Sequence, residues 1–153
     1  MGFDTKAFMK TKYEDRTAEV PVPDLKDWFG AEEKPVFVVR GLTGKELAIC
    51  NEAAQRNKNT AAMIEAMSSN VNTEKVEGFR EMLGVTTSVP DDLAKRMEQF
   101  GYGTVDPNMN HEAAVKFAEA YPVEFYQATN KIMELTGQGR QIVKKKASSK
   151  TTK

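Results

Sequence analysis

The sequence predicts a mainly α-helical, compact domain with a small N-terminal antiparallel β element and a disordered basic C-terminal tail. Three observations carry that expectation. A short apolar run, Val36-Phe37-Val38-Val39, reads as the best strand in the chain. From Thr43 onward, apolar residues recur at helical spacing between capping residues and glycine stops. The closing stretch VKKKASSKTTK holds five lysines and no acid, a composition that cannot bury enough apolar surface to fold. At 153 residues the length suits one domain. Hydrophobic residues make up 40% and charged residues 29%, which supplies a core. The expected division is a flexible arm over 1–18, a single α-rich domain over 19–142 and the lysine-rich tail over 143–153.

The elements follow in order. Residues 1–18 are mixed and weakly patterned. EVPVP (19–23) alternates like a strand, but Pro21 and Pro23 cannot donate ladder hydrogen bonds, so it belongs at a sheet edge. DLKDWFG (24–30) holds the one tryptophan, Trp28, followed by Phe29 and Gly30, and reads as a loop or short helical turn. The strand 36–39 then meets Arg40 and the corner GLTGKE. Thr43 and Glu46 have the spacing of a capping box, and Leu42 and Leu47 that of a hydrophobic staple. Gly41 permits a sharp exit from the strand. A helix is expected from Gly44 to near Asn57, with Leu47, Cys50 and Ala54 on one face. NKN (57–59) interrupts it, and Thr60 caps a second helix that turns Met63, Ile64 and Met67 inward.

A third helix starts near Asn72 or Thr73, presents Val76, Phe79, Met82 and Leu83, and stops at Gly84. Ser88 and Asp91 form a capping pair around Pro90, a first-turn proline, and Leu93, Met97 and Phe100 line the helix that GYG (101–103) ends. After the turn at 106–110, Asn110 caps a helix using Ala114, Phe117, Ala118 and Tyr121. Pro122 breaks it. The last segment, 123–136, sets Phe125, Ile132 and Met133 on an apolar face, with Gly137 as its stop.

Lys+Arg and Asp+Glu number 22 each, so the whole chain has no bias toward nucleic acid or anionic membrane. The first residues, MGFDTKAFMKTKYEDR, lack the apolar core of a signal peptide, and no stretch approaches the ~20 apolar residues that span a bilayer. A soluble intracellular protein is expected. Catalytic, metal and cofactor sites are not. GLTGKE lacks the spacing of a phosphate loop. His111 is the one histidine and sits beside a helix cap, with no partner set for a metal. Cys50 lies on an apolar stripe, where a buried structural thiol is expected rather than a nucleophile.

The remaining candidates are surfaces. Trp28 and Phe29 are either anchors pinning the loop to the helices or binding hot spots. The eight methionines either fill the core or form an adaptable groove, with Met63 and Met67 among the groove candidates. Arg40 either contacts a partner or pairs with an acid near the helix start. The lysine tail either solubilises or attracts nucleic acid or another acidic surface.

DLKDWFG, PVFVVRGLTGKELAICNEA and KIMELTGQG together resemble the tail assembly chaperones of long-tailed bacteriophages. In that family a strand ends in an Arg-x-Leu-Thr corner opening the first helix, matched here by Arg40, Leu42 and Thr43. The chain ends in a helix leading to an LSGLG-like segment, matched here by LTGQG at 135–139. The resemblance spans most of 20–140. It implies a non-enzymatic protein of the host cytoplasm that coats the tape measure protein, recruits tail tube subunits and is absent from the finished virion. It also implies a longer form made by ribosomal frameshifting, for which Lys144–Lys146 could be the slippery site. Repetition along the tape favours self-association. The alternative is a nucleic-acid-associated accessory protein acting through the basic tail.

Overall fold

The computed structural model describes residues 2–68 and 90–143. The expected helix at 72–83, its Gly84 stop, the Ser88 cap and the tail beyond Val143 lie outside the described residues. The fold is mainly helical with two small antiparallel sheets. In chain order the elements are α1 (Thr5–Lys10), β1 (Tyr13–Glu14), β2 (Thr17–Pro21), a 3-10 helix (Pro23–Trp28), β3 (Val36–Arg40), α2 (Gly44–Ser68), α3 (Asp91–Gly103), β4 (Thr104–Asp106), α4 (His111–Ala120), α5 (Pro122–Gln138) and β5 (Gln141–Ile142).

The larger sheet has the order β2-β3-β4. Thr17 pairs with Arg40 at one end of the β2–β3 hairpin and Pro21 with Val36 at the other. β2 is an edge strand, as Pro21 requires. Phe37 and Val39 point into the core while their neighbours on β3 are half-buried. β4 crosses β3 with a bulge at Val38/Val39.

Two clusters fill the space between this sheet and the helices. Val22, Leu25, Phe37, Phe100, Ala114, Phe117, Phe125 and Ala128 form one. At its centre four phenylalanines from four elements stack, with ring centroids 5.2 Å apart for Phe37–Phe117 and 5.4 Å for both Phe100–Phe117 and Phe100–Phe125. Such tilted pairs add to the area each ring removes from water. Val20, Val39, Leu42, Cys50, Ile132 and Leu135 form the other. Gly103 lets α3 approach α5: a Cβ there would lie 2.6 Å from Ile132 Cδ1.

Several boundaries differ from expectation. Residues 1–18, expected as a flexible arm, carry α1, β1 and the start of β2. The helix after the corner does not stop at Asn57-Lys58-Asn59 but continues to Ser68, so residue 60 lies inside one helix instead of starting a second. The polar side chains there bond outward instead of competing for the backbone: Gln55 Nε2 donates to Asn59 Oδ1 at 3.0 Å, and Asn57 Nδ2 to Asp91 Oδ1 at 2.8 Å. Pro90 is the N-cap of α3 rather than its first helical residue. The stop of α5 is Gly139, at φ 76°, not Gly137, which the helix passes through.

Candidate interaction surface

The corner from β3 into α2 is a closed structural joint. Thr43 N–H donates to Glu46 Oε1 at 2.9 Å and Glu46 N–H to Thr43 Oγ1 at 3.3 Å, completing the capping box. Leu42 and Leu47 both pack in the second cluster, as the staple spacing predicts. Arg40 grips the same carboxylate with two nitrogens, at 2.9 and 2.6 Å, and donates to the Gly41 carbonyl at 3.0 Å. The fork holds the Glu46 carboxyl at about 2, well below its ordinary value; the Arg40 hydrogen bond is the largest cause and burial opposes it. Arg40 is therefore spent on the acid at the helix start.

This joint is docked on the end of α5. The Leu42 N–H donates to Thr136 Oγ1 at 2.9 Å, and that hydroxyl donates on to the Ile132 carbonyl at 2.7 Å. A Cβ on Gly41 would lie 3.0 Å from the Leu135 and Thr136 backbone, so glycine serves close approach as well as the turn. RGLTGKE and LTGQG, far apart in sequence, meet at one place.

The other expected contact residues lie in different surroundings. Trp28 is 75% exposed at the end of the 3-10 helix. Phe29, its neighbour, packs on the first cluster with its ring 6.3 Å from Phe37. Leu25, not Trp28, is the buried anchor of this connection. Met63 is 53% exposed on α2. Met67 lies on the same helix, and its side chain is outside the described residues. Met97 and Met133 pack on the core. His111 is exposed beside the Asn110 cap. Cys50 is fully buried, and burial pushes its thiol up to about 11, far from a reactive thiolate.

Two features escaped the sequence reading. Arg96 on α3 clamps α5: it donates to Thr129 Oγ1 at 2.6 Å and Asn130 Oδ1 at 2.9 Å, pairs with Asp92 at 3.0 Å, and lies 4.3 Å from the centre of the Tyr126 ring. The second is a ribbon module. β1 pairs with β5, Tyr13 opposite Ile142 and Glu14 opposite Gln141. Arg16 donates to the Gly139 carbonyl at 3.1 Å, Arg140 pairs with Asp15 at 3.2 Å, and the Val143 N–H donates to the Lys12 carbonyl at 3.0 Å. α1 leans on this ribbon through Phe8, whose ring is 5.7 Å from Tyr13 and 5.2 Å from Phe3. None of α1 is buried: Phe3 is 75% exposed and Met9 74%.

Among the described residues no group of His, Cys, Asp and Glu could hold a metal ion, and no helix is long and apolar enough to cross a membrane. Among the described residues, large apolar side chains stand in solvent at Trp28, Met63, Val105, Val123 and Tyr126 and on the ribbon module. Comparison with protein-family models, with curated proteins and with solved structures finds no match.

Proposed function

We propose that this chain is a non-enzymatic tail assembly chaperone of long-tailed bacteriophages. It acts in the host cytoplasm, binds the tape measure protein, recruits tail tube subunits and is left out of the finished virion. The observation that carries the reading is the joint between the two short stretches on which the resemblance rests: Leu42 N–H bonded to Thr136 Oγ1 beside Gly41 packed on the α5 backbone.

The surface suits the task. A tape measure protein is long, amphipathic and aggregation-prone until the tube encloses it, so its chaperone needs apolar side chains displayed on a stable body. The exposure of Trp28 and Met63 supports that reading. Arg40 and Phe29 support them from within, one fixing the helix start and the other the loop.

Co-expression with a tape measure fragment tests the reading. The fragment is expected to move into the soluble fraction and co-purify; a fragment equally insoluble with and without this protein overturns it. At the gene level, a slippery heptamer over Lys144–Lys146 followed by an overlapping frame supports the longer form.

A second reading, a nucleic-acid accessory protein, draws on the lysines that the ribbon module gathers. A gel shift that weakens steeply with salt would favour it. The zero net charge of the chain opposes it.

A further inference from the structure

The charges that cancel over the whole chain are segregated along it. Residues 1–16 and 139–153 hold ten basic and three acidic side chains, a net +7, and residues 17–138 hold twelve basic and nineteen acidic, a net −7. The β1–β5 pairing brings 13–14 and 141–142 into one ribbon, so the basic stretches meet at one end of the molecule. The three acids of that module are engaged: Asp4 caps α1, Glu14 accepts from Gln141, and Asp15 pairs with Arg140. Lys6, Lys10 and Lys12 are exposed and, among the described residues, in no ion pair. Past Val143 the sequence adds five lysines and no acid.

The same end carries apolar side chains. Of the ten large hydrophobic residues in solvent among those described, five are here: Phe3, Phe8, Met9, Ile142 and Val143. They are not scattered. At about 3.6 residues per turn, Phe8 and Met9 fall on one arc of α1 and Lys6 and Lys10 on the next. Phe3 extends the apolar arc by stacking on Phe8, with ring centroids 5.2 Å apart. No residue of α1 is buried, so the body covers no face of this helix completely.

We infer that the ribbon module docks on an anionic membrane surface. Phe3, Met9 and Ile142 enter the boundary between headgroups and acyl chains, and the lysines of α1 and those that follow Val143 meet the anionic headgroups. Neither signal suffices alone, since five side chains bury little apolar area and exposed lysines are screened by salt. Together they make a two-part peripheral anchor. Charge also sets the orientation. An anionic surface repels the acidic body. Asp24, Asp27, Glu32 and Glu33, all exposed and near Trp28 in sequence, lie beyond the end of the β2–β3 hairpin opposite the ribbon. Trp28 is thereby held away from lipid. Nucleic acid would use the lysines but gain little from aliphatic Met9, Ile142 and Val143, and this separates the two ligands. The inference stands on charge and exposure and does not require the tape measure reading.

Flotation of the full chain with vesicles tests it. Binding is expected to vesicles of equal parts phosphatidylglycerol and phosphatidylcholine. It should be at least about tenfold weaker to phosphatidylcholine alone and should fall as salt is raised. Phe3→Ser with Met9→Ser should weaken it by about tenfold or more while thermal unfolding stays unchanged, since both side chains are exposed. Removal of 144–153 should weaken it by a similar factor. Trp28→Ala should bind as wild type does, and Trp28 emission should not shift when vesicles are added. A chain that fails to float with the anionic vesicles overturns the inference. So does binding that the Phe3 and Met9 variant keeps in full, which would reduce the contact to charge alone. A blue shift of Trp28 on the vesicles would put the acidic connection against lipid, with the same consequence. A salt-sensitive gel shift of an oligonucleotide at protein concentrations below those that load the vesicles would give the module to nucleic acid and equally overturn it.

Discussion

Among the described residues two aromatic clusters have opposite fates. In the body, Phe37, Phe100, Phe117 and Phe125 come from four elements, and each is almost wholly withdrawn from water. In the ribbon module, Phe3, Phe8 and Tyr13 stack at similar ring spacings, yet Phe3 and Phe8 remain exposed. The residue types and distances match; the difference is that a sheet and three helices cover the first cluster, and the described residues put nothing over the second. A two-stranded ribbon cannot bury a face by itself. Aromatic content therefore does not separate packing from binding. The number of elements that converge on the ring does.

The comparison breaks most sharply through Phe117. Phe117→Ala removes a ring from the centre of the body cluster and is expected to cost about 3–5 kcal/mol, read by chemical denaturation. Phe8→Ser, on the other side of the comparison, should change stability by less than about 0.5 kcal/mol. Comparable losses from both would mean that the ribbon module is as much a part of the core as Phe117.

Next in size are the glycines that let helices approach within the body. Gly103→Ala places a methyl group against three atoms of buried Ile132, the nearest at 2.6 Å, and should cost about 1–3 kcal/mol. Gly44→Ala, where a Cβ meets nothing within 4 Å, is the matched control and should be neutral or slightly stabilising, because alanine favours a helix.

The corner supplies a pH test. The Glu46 carboxyl titrates at about 2 when folded, below its ordinary 4.5. Its stabilisation is therefore present above pH 4.5 and is lost as the pH falls toward 2. Glu46→Gln should destabilise by about 1–3 kcal/mol at pH 7 by leaving Arg40 only the more distant Asp15 as an acidic partner, and the gap from wild type should narrow steadily in acid. A gap that stays constant from pH 7 to pH 2.5 would remove the ion pair from the account.

The smallest expected effect is chemical. With Cys50 buried and its thiol raised to about 11, alkylation at pH 8 should proceed only through unfolding. The native rate should fall well below that of the denatured chain and rise in Phe117→Ala. Equal native and denatured rates would place Cys50 in solvent.

How much of this was legible in the sequence depended on whether the cause was local. The capping box, the strand 36–39 and the Asn110 cap are written within a few residues, and all three are present. The edge position of β2 followed from its prolines. The β1–β5 ribbon was not legible: each strand is two residues long, and Glu14 and Gln141 are 127 residues apart. β4, with three residues, is equally short. α2 runs through Asn57-Lys58-Asn59 because Asn57 finds Asp91 on another helix, a tertiary partner that propensity cannot anticipate. The surface residues show the same limit. Trp28 and Phe29 are adjacent and both aromatic, yet one faces water and the other the core, a choice set by the 3-10 turn that buries Leu25. For Arg40 the acid was already visible at Glu46, and the structure realises that alternative.

The central claim is that exposed aromatics do the binding while buried ones hold the fold. It is tested most directly by one variant carrying Phe3→Ser, Phe8→Ser and Trp28→Ala, with thermal unfolding and the solubility of a co-expressed tape measure fragment measured on the same variant. The account predicts an unfolding midpoint within about 2 °C of wild type and a co-expressed tape measure fragment that is no longer held in the soluble fraction. A midpoint lowered as far as that of Phe117→Ala, or a fragment kept as soluble as by wild type, would contradict it.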